Sequence, residues 1–265
     1  MDRSTLTPVN GTIRPVPVRI SGLTFAYHDD HDVLKDVSLQ IGAGERFGII
    51  GPSGAGKSTL LLHMNGILHP RSGQVEIGDT VVNRSNLDRI RREVGLVFQN
   101  PDDQLFNPTV GEDVAFGPLN MGLEQPAVEQ RVRDALQAMN LEGFEEKSSH
   151  HISYGERKRA ALATVLAMSP SVVAFDEPFS NLNPAMVEHL VEMIRELSAT
   201  VIVVSQSILP MALTCDRLAV LEEGRIAAVG DTRTILTDRA LLQRCSLDFH
   251  FYCEACRDLF SDPEP

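Results

Sequence analysis

The chain is short of the features that mark secreted, membrane-spanning or nucleic-acid-binding proteins. It has four cysteines in 265 residues, too few for a disulfide framework, so reduced thiols are expected. No uninterrupted apolar run approaches the roughly 20 residues of a membrane span. Residues 1–17 are polar, carry Pro8, Pro15 and Pro17, and lack the apolar stretch of a secretory signal. A flexible N-terminus and a cytoplasmic location are the expectations. Positive charge is scarce: 24 Lys+Arg face 36 Asp+Glu, for a net charge of −12. That balance argues against nucleic acid as a partner, which calls for a basic patch. The charge deficit is local. Residues 100–146 hold ten acids and two bases, a net −8, and residues 245–265 hold five acids and one base, a net −4. No internal repeat or low-complexity tract is evident.

What is present is enough for one large domain, or one domain with a subdomain, with a core that needs no staples. Strands alternate with helices, which points to an α/β fold with a largely parallel sheet. The start differs: 18–26, 37–41 and 74–77 alternate in short segments near turns and suggest an antiparallel layer. Arg46–Ile50 reads as a strand buried on both faces and 57–66 as a helix. Residues 94–98, 172–175 and 201–204 are further strand candidates, and about 100–168 is mostly helical in pattern. Asn183 sits where an N-cap belongs, before Pro184 and an apolar face of Val187, Leu190, Val191, Ile194 and Leu197. Residues 218–221 and 226–229 flank Glu222-Glu223-Gly224 as a hairpin.

The decisive run is Gly51-Pro52-Ser53-Gly54-Ala55-Gly56-Lys57-Ser58-Thr59, which fits the phosphate-loop pattern G-x-x-x-x-G-K-[ST]. Successive N–H groups of such a loop point at phosphate oxygens, and the following helix adds its positive end. Lys57 then reaches the β and γ phosphates, and the Ser58 hydroxyl ligates Mg²⁺. A plain Gly-rich turn is the competing reading; the strand before and helix after it weigh against that. Downstream, Val172-Val173-Ala174-Phe175-Asp176-Glu177 reads as a buried strand ending in two acids. Beside a phosphate loop, Asp176 suits Mg²⁺ and Glu177 suits polarising the attacking water. Alone, the same run is a commonplace strand end at the surface.

Ile152-Ser153-Tyr154-Gly155-Glu156, followed by Arg157-Lys158-Arg159, resembles the LSGGQ signature of ATP-binding cassette proteins. Gln99 matches that family's Q-loop glutamine, Tyr27 its adenine-stacking aromatic, and Ser180-Asn181-Leu182-Asn183 its D-loop. The resemblance runs in order over about 18–244. It implies a P-loop (RecA-like) core with an antiparallel β subdomain and a helical subdomain near 100–168, leaving 245–265 as an acidic tail. It also implies that Gln99 joins Ser58 and Asp176 around Mg²⁺, and that two cassettes sandwich two ATP molecules. In that pairing Ser153, Tyr154, Gly155 and Glu156 face the other cassette's phosphate loop. Taken by themselves, Ser153 and Glu156 read as a helix capping box; both readings hold together. The runs Phe98–Phe106, His63-Met64-Asn65-Gly66 and Asp113–Asn120 are similar to the ATPases of energy-coupling-factor importers, including those for cobalt and nickel.

Two positions depart from the pattern. Gln206 stands where the family carries its switch histidine, and Asn183 where the D-loop carries aspartate. Glutamine hydrogen-bonds but carries no proton as histidine does, so slow hydrolysis is expected at this site. The resemblance implies an ATPase subunit on the cytoplasmic face of the membrane, energising import of cobalt or nickel ions or a vitamin. Its partners are then ATP with Mg²⁺, a second cassette, identical or not, a transmembrane permease and a substrate-binding membrane component. A hydrolysis-impaired regulatory cassette is the alternative, and a DNA- or ribosome-acting cassette is disfavoured by the acidic helical region. That region is expected either to dock basic residues of the membrane partner, with salt-sensitive assembly, or simply to be solvated. Cys245, His250, Cys253 and Cys256 lie within twelve residues, a set of types that suits zinc; a tail of reduced thiols is the plainer reading. Cys215 is expected in the core. His150 and His151 are adjacent and expected on the surface.

Overall fold

The computed structural model describes residues 14–28, 31–245 and 247. Ten strands and nine helices occur among them. In chain order these are β1 (Val18–Phe25), β2 (Leu34–Ile41), β3 (Arg46–Ile50), α1 (Lys57–Met64), β4 (Ser72–Ile77), β5 (Thr80–Val81), α2 (Leu87–Glu93) and β6 (Val94–Val97). Then come α3 (Val110–Asn120), α4 (Gln125–Ala138), α5 (Tyr154–Leu166), β7 (Val172–Asp176), α6 (Pro184–Glu196), β8 (Thr200–Val204) and α7 (Ile208–Thr214). The chain ends in β9 (Arg217–Glu222), β10 (Arg225–Asp231), α8 (Thr232–Thr237) and α9 (Arg239–Arg244).

Two sheets form. One is antiparallel, in the order β2-β1-β4-β5; the other has six strands in the order β10-β9-β3-β8-β7-β6. Strands β9, β3, β8, β7 and β6 pair in parallel, and β10 turns back antiparallel on β9 as the expected hairpin. The apolar runs of the parallel strands are continuous because both faces are covered. Phe47, Ile49, Ala174, Ile202 and Val204 point toward the antiparallel sheet and α1. Ile50, Val173, Phe175, Val201 and Val203 point into the helical side. This period-two division makes two cores from one sheet.

Helices α3, α4 and α5 pack together. Capping boxes open α3 (Thr109 with Glu112) and α5 (Ser153 with Glu156); a cap of this kind contributes about 1 kcal/mol. Pro184 opens α6, and the Asn183 side chain accepts from Met186 N, as the sequence predicts. The acidic stretch is less uniform than its charge count implies. Asp113 is buried and accepts from Phe106 N, Asn107 N and Asn107 Nδ2. Asp102 pairs with Arg157 at 3.1 Å. The outward face instead carries Phe106, Phe116 and Leu119, all exposed, with the two Phe rings edge-to-face at 5.0 Å.

The boundary placed at 245 cuts through the core. Cys245 and Leu247 are buried among the core residues around α8 and α9. No helix among the described residues is long and apolar enough to cross a membrane.

Candidate active site

Strands β3, β8, β7 and β6 lie side by side and parallel, so their carboxyl ends form one edge. Each end delivers a residue: Gly51 after β3, Ser205 and Gln206 after β8, Asp176 and Glu177 at β7, and Gln99 just beyond β6. A crevice outside such an edge is the usual ligand position in open α/β sheets.

The loop after β3 needs its glycines for space. A Cβ on Gly51 would sit 2.1 Å from the Leu221 carbonyl oxygen, and Gly56 takes φ +101° where it turns the chain into α1. Within this loop Ala55 is buried, Pro52 is half-buried, and Ser53 and Gly54 are exposed. Lys57 is 6% exposed. Its Nζ donates to the carbonyls of Gly51 at 2.9 Å and Pro52 at 3.0 Å. Burial lowers its pKa, and Glu177 and Asp176 pull it back up. The Ser58 hydroxyl donates to Asp176 Oδ1 at 3.0 Å. Asp176 is raised from the ordinary carboxylate value, first by burial, with the Ser58 hydrogen bond opposing. Tyr27 is exposed, its hydroxyl 3.1 Å from Thr59 Oγ1 and its ring edge-to-face with Phe25.

Glu177 is buried in a left-handed conformation, φ +45°. Its amide donates to Val204 O at 2.9 Å. One carboxylate oxygen, Oε2, accepts from Ser205 Oγ at 3.0 Å and from Gln206 N at 3.2 Å. The other, Oε1, is buried without a hydrogen-bond partner. A carboxylate with one oxygen fixed and one open acceptor is suited to orient a water and take its proton. Two hard oxygens 3.0 Å apart, Ser58 Oγ and Asp176 Oδ1, fit a magnesium ion, which takes oxygen ligands and completes its shell with phosphate and water.

The other expected residues fall as follows. Gln99 and Gln206 are exposed at their strand ends, and Gln206 meets Glu177 through its backbone. Ser153, Tyr154, Gly155 and Glu156 open α5, and none of their hydrogen bonds among the described residues reaches the phosphate loop. Ser153 holds the Glu156 carboxyl below its ordinary range. His150 and His151 are exposed and Cys215 is buried, as expected. Cys245, one of the four residues weighed for zinc, is buried and its Sγ donates to Glu222 Oε2 at 3.4 Å. His250, Cys253 and Cys256 lie outside the described residues. No group of three or more His, Cys, Asp or Glu among the described residues is placed to hold a metal ion.

Three contributors were not singled out by sequence. Ser205 anchors the Glu177 carboxylate; its signal was a hydroxyl ending a buried strand. Gln104 spans from Phe98 N to Ala161 O and Thr164 Oγ1, tying the Gln99 loop to α5. Lys158 is buried, and burial pushes its ammonium down to about 8 while Glu177 opposes the shift. A charged residue in an apparently amphipathic helix gives no sign that it turns inward.

The ABC transporter family model matches residues 34–180. An energy-coupling factor transporter ATP-binding protein, EcfA, of Methanothermobacter thermautotrophicus is 43% identical over 87% of this chain and 76% of its own length. The cbiO1 structure from Clostridium perfringens, described as part of the ABC transporter complex cbiONQ, superposes with a TM-score of 0.75 at 33% identity. It covers 91% of this chain and 98% of its own. The MJ0796 cassette, described as a dimer bound to ADP and Pi, gives 0.74 at 27% identity over 81% of this chain and 98% of its own. With a phosphate loop, an acidic strand end and a capped signature helix on one α/β scaffold, and with these relatives, the chain belongs to the ABC transporter family of ATP-hydrolysing cassettes.

Proposed function

We propose that this chain is the ATP-hydrolysing subunit of an energy-coupling importer, held on the cytoplasmic face of the membrane by a transmembrane partner. The observation that carries the reading is the meeting of Lys57, Ser58, Asp176 and Glu177 on one strand edge, with Glu177 Oε1 unpartnered. The loop amides of residues 51–59 and the Lys57 ammonium bind the phosphates. The exposed Tyr27 ring offers a face for adenine. Ser58, Asp176 and Gln99 would hold Mg²⁺, which supplies charge neutralisation on the phosphates when bound. Glu177 orients water against the γ-phosphate and takes its proton. Ser153, Tyr154, Gly155 and Glu156 complete the site of a second cassette, which a second copy of this chain supplies in the purified protein. The dimeric MJ0796 relative supports that pairing. EcfA and cbiO1 support the importer class. The cargo, a cobalt or nickel ion or a vitamin, meets the membrane components and not this chain.

Gln206 supports a slow variant of this cycle, as in a cassette that binds ATP more than it spends it. Its side chain is exposed and offers no proton-carrying group. Gln206→His therefore raises steady-state turnover, by about 100-fold, the low end for a restored proton-transfer role. Phosphate release measured on both proteins checks this; equal rates reject the slow-site reading.

Docking of the membrane partner is assigned to the exposed Phe106, Phe116 and Leu119 on the helical side. The paired Asp102 and buried Asp113 take two acids out of any purely electrostatic face. Burying two phenylalanines stabilises a contact by about 1.5–3 kcal/mol each. Phe106→Ser with Phe116→Ser is therefore expected to abolish co-purification of the permease from detergent-solubilised membranes. High salt leaves the wild-type complex intact; dissociation by salt alone returns the weight to the acidic groups.

A further inference from the structure

Lys158 is a buried cation for which the phosphate chemistry has no direct use. It lies on the second turn of α5 and is 3% exposed. Its stem borders a small cavity between α5 and α6, beside Leu182, Met186 and Met193. Its ammonium donates to Ser180 O at 2.8 Å, Ser180 Oγ at 3.2 Å and Glu177 O at 3.2 Å. A lysine has three protons to donate, and all three have acceptors in one turn.

That turn is strained. Glu177 has φ +45° and Asn181 φ +58°, both in the left-handed region that non-glycine residues rarely enter. Such residues cost about 1–3 kcal/mol each and persist where their surroundings over-determine them. From within the turn, Ser180 Oγ and Ser180 N donate to Glu177 O at 2.9 and 3.2 Å. From β8, Val204 O receives the Glu177 amide. From the helical side, Lys158 supplies the contact that binds both ends of the Glu177–Ser180 turn together. On the same helix, Arg157 pairs with Asp102 beside the Gln99 loop.

We infer that Lys158 is a positioning residue for ATP hydrolysis: it fixes the turn after β7 so that Glu177 Oε1 keeps its place as the unpartnered acceptor, and it makes that placement depend on where α5 sits. The inference rests on the proposed role of Glu177 as the group that activates water. Among the described residues Lys158 donates no hydrogen bond to the phosphate loop or to Ser58, Asp176 or Gln99, so its loss acts on the chemical step and not on binding.

The test compares wild type, Lys158→Met, Lys158→Arg, Glu177→Gln and the double variant Lys158→Met with Glu177→Gln. For each, kcat and KM for ATP and the melting temperature are measured. Displacing a catalytic group by about 1 Å costs on the order of 100-fold. Lys158→Met is expected to lose about 10- to 100-fold in kcat with KM changed less than about twofold. Lys158→Arg keeps the charge on a longer planar head and is expected to lose about threefold to tenfold in kcat at unchanged KM. In the double variant the Lys158 change adds no further loss to that of Glu177→Gln, because it acts through that carboxylate. Wild-type kcat in Lys158→Met, a parallel change in KM and kcat, or additive losses in the double variant overturn the inference. If Lys158→Met fails to fold, Lys158→Arg carries the test, and wild-type kcat there overturns it. Wild-type turnover in Glu177→Gln itself overturns the functional reading, and the inference falls with it. An inactive Glu177→Gln beside a fully active Lys158→Met overturns the inference alone.

Discussion

Replacing Glu177 with glutamine stops phosphate release, with kcat falling by about a thousandfold, inside the range for losing a general base, while ATP still binds. The reason is local. Glutamine has the same shape, and its carbonyl oxygen can accept from Ser205 Oγ and Gln206 N as Oε2 now does. The amide nitrogen then occupies the position of Oε1, the buried oxygen without a partner. A donor replaces an acceptor there, and no proton can be taken. In the proposed site the phosphate contacts belong to Lys57 and the loop amides, which this substitution leaves in place. Phosphate release and nucleotide titration on the same preparations check both halves. A variant that hydrolyses at the wild-type rate rejects the assignment.

Lys57→Met weakens ATP binding by about 100-fold or more. Each hydrogen bond from a charged donor contributes about 1.5–3 kcal/mol, and in the proposed site Lys57 gives more than one to the phosphates. Burial works against its charge, and Asp176 and Glu177 sustain it. In the protein as described, the ammonium rests on the Gly51 and Pro52 carbonyls, so it is preorganised and close. Methionine keeps the stem and its packing, which separates loss of charge from loss of fold. Calorimetric titration with ATP, alongside the melting temperature, measures the effect. An affinity within a few-fold of wild type contradicts the phosphate-loop reading.

The α/β plan was legible because its strands are short apolar runs bounded by turns, buried on both faces. The phosphate loop was legible because its chemistry demands particular residues at fixed spacing. Boundaries were less so, for reasons visible in the backbone. Strand β2 begins at Leu34 and not at 37, because Asp36 has φ +56° and the pairing with β1 shifts register. The irregularity breaks the alternation that marks a strand, so Leu34 falls outside the pattern. Helix α1 ends at Met64 because Asn65 caps it and Gly66 turns at φ +70°.

Tertiary partners were the least legible part of the site. Ser205, Gln104 and Lys158 each work through a contact distant in sequence, and nothing local reports such a contact. The charge count misled in the same way. It treats Asp113, which is buried and accepts three hydrogen bonds from Phe106 and Asn107 on Oδ1, as equal to an acid in solvent. Arg131 is a second case, its guanidinium donating to Ala167 O and Ser169 Oγ.

In the proposed cycle Lys57, Asp176 and Glu177 form half of a working ATPase, which the signature residues of a second cassette complete. Mg-ATP-dependent phosphate release per chain, measured across a dilution series of the purified protein, tests it most directly. Turnover per chain is expected to climb with protein concentration and to level off once the chains are paired. Turnover per chain that stays constant down to the most dilute sample would show that a single chain suffices, and would contradict it.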